Sequence, residues 1–256
     1  MPRRNLVIAC GVFEHELQRV AEQGVEFDRV LLDAGLHSRP TELHDRLQAT
    51  IDAVDPAAHH TMALLYGLCG RAVVGLETGA VPLLIPRLHD CIGLFLGSAE
   101  AYWEQFRACP GTLYLTPGWC EKEAHPDSGR LDVARHAWSA TLHPDFGLWS
   151  ARYGEGAATW IVDFLQSWRQ HYQRIAYIDH GLGDGEAYRR QAAELAAATG
   201  WSLEELPGSL ALIEALAAGQ ATEQQALLVP PHHRVVGTHD ARLIEAVPLH
   251  HQAAAT

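Results

Sequence analysis

Short apolar runs alternate with segments of helical period along most of this 256-residue chain. Such alternation predicts βαβ units, in which helices join parallel strands and cover both faces of a sheet. The spacing therefore predicts a three-layer α/β fold with a mostly parallel, doubly wound sheet of the Rossmann or flavodoxin-like kind. The predicted strands are Leu6–Cys10, Arg29–Asp33, a run ending at Cys69, a run ending at His89 to Cys91, Thr112–Leu115, Ile175–Asp179, Trp201–Leu206 and Ala226–Val229.

The alternation is interrupted between residues 119 and 156, where His-Pro, Gly and aromatic residues follow no period. We expect a single α/β domain over residues 1–237 with an insertion, serving as a lid, at about 119–156. Residues 238–256 end in a histidine- and alanine-rich stretch and are expected to form a loosely ordered tail. In the common flavodoxin-like order 2-1-3-4-5, the first, third and fourth strands are neighbours and Thr112–Leu115 takes the fifth place.

Metal-type ligands stand at the ends of two of these apolar runs. Cys69 ends the run in HTMALLYGLCG, and His89 and Cys91 end the run in VPLLIPRLHDCIG. Because ligands of open α/β sheets bind at the carboxyl edge, where neighbouring parallel strands end together, we expect these three to converge. His89 and Cys91 are two residues apart and face the same side if the strand geometry continues. Cys10 and His37 are candidates for a fourth ligand, and a thiol that only packs is the alternative for each cysteine.

Two thiolates and one imidazole suit zinc. Structural zinc sites usually use closely spaced pairs such as C-x-x-C, whereas these ligands come from separate strand ends, which favours an open catalytic site. An ion in this donor set carries little residual charge and suits the activation of a bound thiolate, so we expect a metalloenzyme that transfers a methyl or alkyl group to a small-molecule substrate. The alternatives are an iron–sulfur cluster on the cysteines and a non-catalytic metal or corrinoid carrier or accessory protein.

A second group of candidate residues follows the sixth predicted strand. Asp179 and His180 are candidates for a general acid or base. The glycine-rich turn after them, with Gly181 and Gly183 before a helix, is a candidate cradle for an anion, and a flexible turn is the alternative because the G-x-G-x-x-G spacing is missing. The expected walls of the substrate pocket are Tyr102, Trp119 and the other tryptophans of the lid.

Composition excludes several classes of partner. A net charge of −12, with 19 Lys and Arg among 256 residues, argues against a nucleic-acid partner. No segment reaches the roughly 20 consecutive apolar residues of a membrane span, and the apolar run after the N-terminal arginines is too short for a secretory signal. Five cysteines, an odd number, indicate reduced thiols, so we expect a cytoplasmic protein.

Six segments resemble, in order, the bacterial and archaeal family labelled domain of unknown function 1638. They are LVIACGVFEHEL, GLHSRPTELHDRLQATID, YGLCG, IPRLHDCIGLFLGSAEAYWEQF, GTLYLTPGW and PGSLALIEALAAG. The blocks YGLCG and PRLHDC are the most specific, and the resemblance implies a cysteine at the first strand end, here Cys10, together with Cys69, His89 and Cys91. Members resemble proteins found near corrinoid-dependent methyl-transfer systems, and the H-x-C with a distant cysteine is similar to the zinc site of cobalamin-linked thiol methyltransferases. The resemblance therefore implies a corrinoid protein as partner and a zinc-bound thiol as methyl acceptor.

Overall fold

The computed structural model describes residues 3–123 and 146–249, apart from the side chains of residues 69, 165, 166, 168 and 169. The chain forms two compact units, Met1–Tyr102 with Gly208–Thr256 and Trp103–Pro207. The strands are β1 Arg4–Cys10, β2 Phe27–Leu32, β3 His59–Leu65, β4 Leu83–Pro86, β5 Thr112–Leu115, β6 Arg174–Asp179, β7 Ser202–Pro207, β8 Ala226–Val229, β9 His233–Gly237 and β10 Ile244–Pro248. The helices are α1 Glu14–Glu22, α2 Pro40–Asp52, α3 Ile92–Leu96, α4 Ala99–Ala108, α5 Pro117–Glu123, α6 Phe146–Tyr153, α7 Glu155–Gln166, α8 Gly185–Thr199 and α9 Ala211–Ala217.

The first unit is built on a five-stranded sheet of order β2-β1-β3-β4-β8. The first four of these strands run parallel, and β8 pairs with β4 in the antiparallel direction. β1 is buried at every position after Arg4, as expected of a central strand that is covered on both faces. The predicted α/β class with a mostly parallel sheet is therefore confirmed.

Helices cover the sheet of the first unit through the apolar stripes that the sequence provides. In α2, the side chains of Leu43, Leu47 and Ile51 recur at helical spacing and are buried. The rings of Phe13 and Phe95 stack with their centroids 4.2 Å apart. The part of the first unit that follows Pro207 is hydrogen-bonded to the central strand β1, because the buried Asn5 amide donates to the carbonyl of Ala217 at 2.9 Å. These contacts hold one core around β1 and β3.

The second unit has its own sheet of order β5-β6-β7, and both pairings are parallel. Its core contains Leu115, Ile175 and Tyr177 from the sheet and Leu195 from α8. α8 begins at Gly185, after Asp184 accepts a hydrogen bond from the Ala187 amide, and ends at Gly200 in the left-handed conformation. β6, α8 and β7 thus form a βαβ unit, in which the helix connects two parallel strands.

Two predictions about the arrangement of strands need correction. The order of the first four strands is as predicted, but the fifth place belongs to β8, and Thr112–Leu115 lies in the other sheet. Part of the predicted tail is also a strand, because Ile244–Pro248 pairs with β9. Residues 250–256 of that tail lie outside the described residues, as do residues 124–145 of the predicted insertion.

No helix in the described ranges is long and apolar enough to cross a membrane.

Candidate functional site

The loops that follow β3 and β4 lie side by side at the carboxyl edge of the first sheet. The amide of Leu68 donates to the carbonyl of Leu88 at 2.9 Å. A Cβ atom on Gly67 would stand 2.7 Å from the carbonyl carbon of Asp90 and 3.0 Å from the amide nitrogen of Cys91. Such distances admit only glycine, so the backbones of the YGLCG and PRLHDC blocks are in direct contact.

The loop that carries Cys69 also contacts the loop after β2. A 3₁₀ turn, Cys69–Arg71, packs against a second 3₁₀ turn, Ala34–Ser38, which carries His37. Gly70 adopts a positive φ of 66°, and a Cβ on it would stand 2.8 Å from Pro40 at the start of α2. The Cys69 turn is therefore in contact with both loops that carry the candidate histidines.

The predicted ligands differ in their exposure. Cys10 is the last residue of β1 and is 5% exposed. Cys91 and His37 are partly buried, and His89 is exposed. Burial lowers the pKa of His37, which keeps its imidazole neutral at pH 7, the form that binds a metal. Cys69 is placed by its backbone only, since its side chain lies outside the described part of the chain.

No three His, Cys, Asp or Glu side chains in the described part of the chain form a group that could hold a metal ion. Cys10, His37, His89 and Cys91 therefore do not make a ligand set by themselves. The set at the centre of the prediction includes Cys69, whose side chain lies outside the described part of the chain, so this set stays a prediction. The structure shows that the backbone segments that carry Cys69, His89 and Cys91 are in contact.

The predicted geometry of His89 and Cys91 is wrong in one respect. β4 ends at Pro86, and His89 and Asp90 lie in a bend instead of an extended strand. Cys91 already has helical φ and ψ of −62° and −20°, because it is the residue that caps the start of α3. The carboxylate of Asp90 accepts a hydrogen bond from the amide of Ile92 at 2.9 Å, which fixes the bend. Burial raises the pKa of Asp90 despite this bond.

The second group of candidates lies in the second unit and is largely engaged in local bonds. Asp179 forms an ion pair with Arg189 and accepts a hydrogen bond from the amide of Gly181 at 2.9 Å. The first turn of α8, the expected anion cradle, is capped by Asp184. His180 is partly buried.

The remaining predicted residues, Gly183, Trp119 and Tyr102, do not all belong to one unit. A Cβ on Gly183 would stand 2.9 Å from the ring of Tyr188, so this glycine allows the turn to pack on α8. Trp119 is 8% exposed, and its amide donates to the Thr116 hydroxyl at 3.4 Å. Tyr102 is partly buried and ends the first part of the first unit, whereas Trp119 belongs to the second unit.

Sequence reasoning missed a polar cluster beneath the start of α8. The Tyr188 hydroxyl donates to the Glu121 carboxylate at 2.5 Å, and burial first, then this bond, raises the pKa of Tyr188 to about 12. Burial also raises the pKa of the Cys120 thiol to about 12 and that of the Tyr177 hydroxyl further still. All three groups are protonated at neutral pH. No local sequence pattern predicts the cluster, because Glu121 and Tyr188 are 67 residues apart.

The fold and these loops define a mixed α/β protein whose candidate ligands lie on loops at the carboxyl edge of a mostly parallel sheet. The chain belongs to the family described as protein of unknown function (DUF1638), whose model matches residues 31–217. The resemblance is thereby confirmed, and the matched range contains the blocks YGLCG and PRLHDC but not Cys10. No curated protein and no solved structure matches the chain.

Proposed function

We propose that this protein binds one zinc ion through Cys69, His89 and Cys91. The observation that carries the proposal is the contact between the two loops, in which Gly67 leaves no room for a side chain against Asp90 and Cys91. The two loops are separate segments of the sequence, and each carries thiol or imidazole groups. They are held together at the edge of the sheet where α/β proteins bind ligands. The donor set is of the kind that zinc prefers.

The surrounding residues support such a site. The Leu68 to Leu88 hydrogen bond and the bond from the Ile92 amide to Asp90 hold both loops in place before a metal binds. A preformed backbone lowers the entropy cost of bringing ligands together. These hydrogen bonds hold the loops that carry the proposed donors.

The proposed reaction class is methyl or alkyl transfer to a thiol, with the protein acting as a cytoplasmic metalloenzyme. Zinc with two thiolates and an imidazole supplies a site that holds a thiol substrate as its thiolate. In the transfer, the bond between the methyl group and its donor breaks, a sulfur–methyl bond forms, and the thiol proton leaves to solvent. A methylated corrinoid protein, as the donor, would retain the electron pair of the broken cobalt–carbon bond. The family resemblance supports this partner.

The finer fold assignment is part of the same proposal. The parallel order β2-β1-β3-β4 supports a Rossmann or flavodoxin-like fold in the first unit, with β8 as a variation at the fifth place. The segment at about 119–156 is proposed as a lid because it interrupts the alternation of strands and helices in the sequence and is rich in tryptophan. Its described ends are helical, in α5, α6 and the start of α7.

Elemental analysis of the purified protein tests the metal. We expect about one zinc per chain, and its loss when Cys69 or Cys91 is replaced by serine. Cys109→Ser is the matched control, because Cys109 is a free, partly buried cysteine in the second unit. Iron with sulfide would assign the loops to a cluster instead. A protein that binds no metal, even after incubation with zinc, would end the proposal.

The transfer step is tested separately. The zinc-loaded protein is mixed with methylcobalamin and a small thiol, and loss of the cobalt–carbon bond is followed by absorbance. We expect turnover that Cys91→Ser abolishes and Cys109→Ser retains. Full metal content without transfer would leave the carrier alternative as the function.

A further inference from the structure

The side chain of Arg87 connects the loop after β4 to the part of the first unit that follows Pro207. Its Nε atom donates to the carbonyl of Glu223 at 2.9 Å, and its Nη1 atom donates to the carbonyls of Arg242 at 2.5 Å and Ile244 at 2.8 Å. A guanidinium group is a rigid planar fork, so three bonds to backbone carbonyls hold it in one orientation. All three carbonyls lie beyond residue 217, where the match to the family model ends.

The turn that supplies two of these carbonyls is strained. Leu243 lies between Arg242 and Ile244 and has a positive φ of 64°. The Ile244 amide donates to the carbonyl of Arg242 at 2.7 Å, so these residues form the rare kind of γ-turn whose central residue has a positive φ. The carboxylate of Asp240 supports the turn by accepting a hydrogen bond from the Arg242 amide at 2.9 Å. Such a backbone persists where surrounding contacts hold it, and here both carbonyls that flank Leu243 accept from Arg87.

Arg87 stands two residues before His89 in the PRLHDC block, and the backbone between them is held on two sides. The Arg87 amide donates to the carbonyl of Gln225 at 2.9 Å, which continues the pairing of β4 with β8 by one more residue. The next residue, Leu88, is 2% exposed, and its carbonyl accepts the hydrogen bond from the Leu68 amide. The start of this loop is therefore fixed between the YGLCG block and the C-terminal segment.

We propose that Arg87 is a positioning residue for the metal site, an inference that rests on the proposed function. Its hydrogen bonds hold the loop in the conformation in which His89 and Cys91 reach the ion, and the strained turn around Leu243 is the anchor. Residues that orient metal ligands without touching the metal change metal affinity about tenfold or more when they are lost. An arginine that serves folding alone changes the free energy of unfolding and leaves the zinc affinity of the folded protein as it was.

The zinc affinity of the folded protein tests the role of Arg87. Metal-free protein is titrated with zinc in competition with a chromophoric chelator, and its free energy of unfolding in urea is measured alongside. We expect Arg87→Met, which removes the donors, to weaken zinc binding about tenfold or more. Arg87→Lys retains the charge and one donor group and is expected to recover part of this loss. Arg234→Met is the matched control and retains affinity, since Arg234 is an exposed arginine of β9 that pairs with Glu77.

The anchor is tested from its other side by variants that leave Arg87 in place. Leu243→Pro removes the turn, because proline fixes φ at about −65° and lacks the amide hydrogen that Leu243 donates to the carbonyl of Asp240. Leu243→Gly keeps the turn, because glycine adopts a positive φ without strain. We expect the proline variant to lose zinc affinity as Arg87→Met does, and the glycine variant to bind zinc as the unchanged protein does.

The titration of the unchanged protein separates failure of the metal site from failure of the anchor. Absence of zinc binding there would overturn the proposed function and this inference together. Zinc binding that Arg87→Met leaves equally tight, or that Arg234→Met weakens as much, would overturn this inference alone. If Arg87→Met does not fold without metal, the Leu243 variants decide, and equal zinc affinity of Leu243→Pro and Leu243→Gly would overturn the inference.

Discussion

Two glycines of the YGLCG block are required for different physical reasons. Gly67 has no room for a Cβ, because the backbone of Asp90 is 2.7 Å from where that atom would stand. Gly70 has a φ of 66°, a conformation that residues with a side chain rarely adopt. The next residue, Arg71, also has a positive φ of 59°. The turn beside Cys69 is therefore held in a conformation that costs free energy, as is common near functional sites.

Replacement of Gly67 by alanine tests the contact between the two loops. We expect Gly67→Ala to lower the free energy of unfolding by about 1–3 kcal/mol, because the backbone of Asp90 must move to admit a methyl group. The same change is expected to reduce zinc content. Urea unfolding and elemental analysis provide the two measurements.

Gly79→Ala is the matched control for this change. A Cβ at Gly79 meets no atom within 4 Å, and its φ is not positive. We expect that variant to unfold at nearly the same urea concentration as the unchanged protein. Equal stability of the two variants would show that the loops separate without cost.

At the scale of secondary structure, one arginine joins the three strands of the second sheet. Arg174, the first residue of β6, is 7% exposed. Its guanidinium donates to the hydroxyl of Thr112 in β5 at 2.9 Å and to the carboxylate of Glu204 in β7 at 2.5 Å. It also reaches the carbonyl of Gln105 at 3.5 Å. The side chain thus ties together all the strands of this sheet.

Arg174→Met keeps the aliphatic stem of this side chain and removes its donors. We expect it to lower the free energy of unfolding by about 2–3 kcal/mol, because hydrogen bonds to a charged group are lost and the Thr112 hydroxyl loses its donor. Arg190→Met, at an exposed position of α8, is expected to stay within about 0.5 kcal/mol. Chemical unfolding monitored by tryptophan fluorescence compares the two. A small and equal effect of both would mean that apolar packing alone holds β5, β6 and β7.

The sequence predicts individual strands better than their partners. β1 and β8 are apolar runs of ordinary strand composition, and both were found. β5 and β8 are four residues each and almost equally apolar, so local sequence does not decide which of them pairs with β4. β9 and β10 were missed, because the short runs HRVVG and IEAVP mix polar and apolar residues beside a histidine-rich end.

The same limit applies to the candidate site. The apolar run before Cys69 and the one before His89 indicate strands that end at a common edge, and their loops do meet there. The bend at His89 was not predicted, because it depends on the side chain of Asp90 bonding to the Ile92 amide. Ion pairing of Asp179 by Arg189 depends on how the helix packs on the strand, which no spacing rule gives.

In the whole molecule, the chain leaves the first unit after Tyr102 and returns to it at Gly208. The returning segment completes the first unit, since β8 pairs with β4 and the Gly75 amide donates to the carbonyl of Val235 in β9 at 2.8 Å. All five predicted ligands belong to the first unit, and none belongs to the second. A metal that binds the folded state stabilises the elements that supply its ligands.

Metal removal is therefore expected to loosen one unit only. After chelation, we expect the amides of residues 66–71 and 87–92 to exchange with deuterium about tenfold faster or more, because the loops lose the ion that joins them and the Leu68 to Leu88 bond opens more often. The amides of β5, β6 and β7 provide an internal control, because that sheet supplies none of the ligands. Hydrogen exchange read by mass spectrometry on the same sample compares the two regions. Equal acceleration in both would mean that the chelator acts on the whole protein, and no acceleration in the loops would mean that their contact does not depend on a metal.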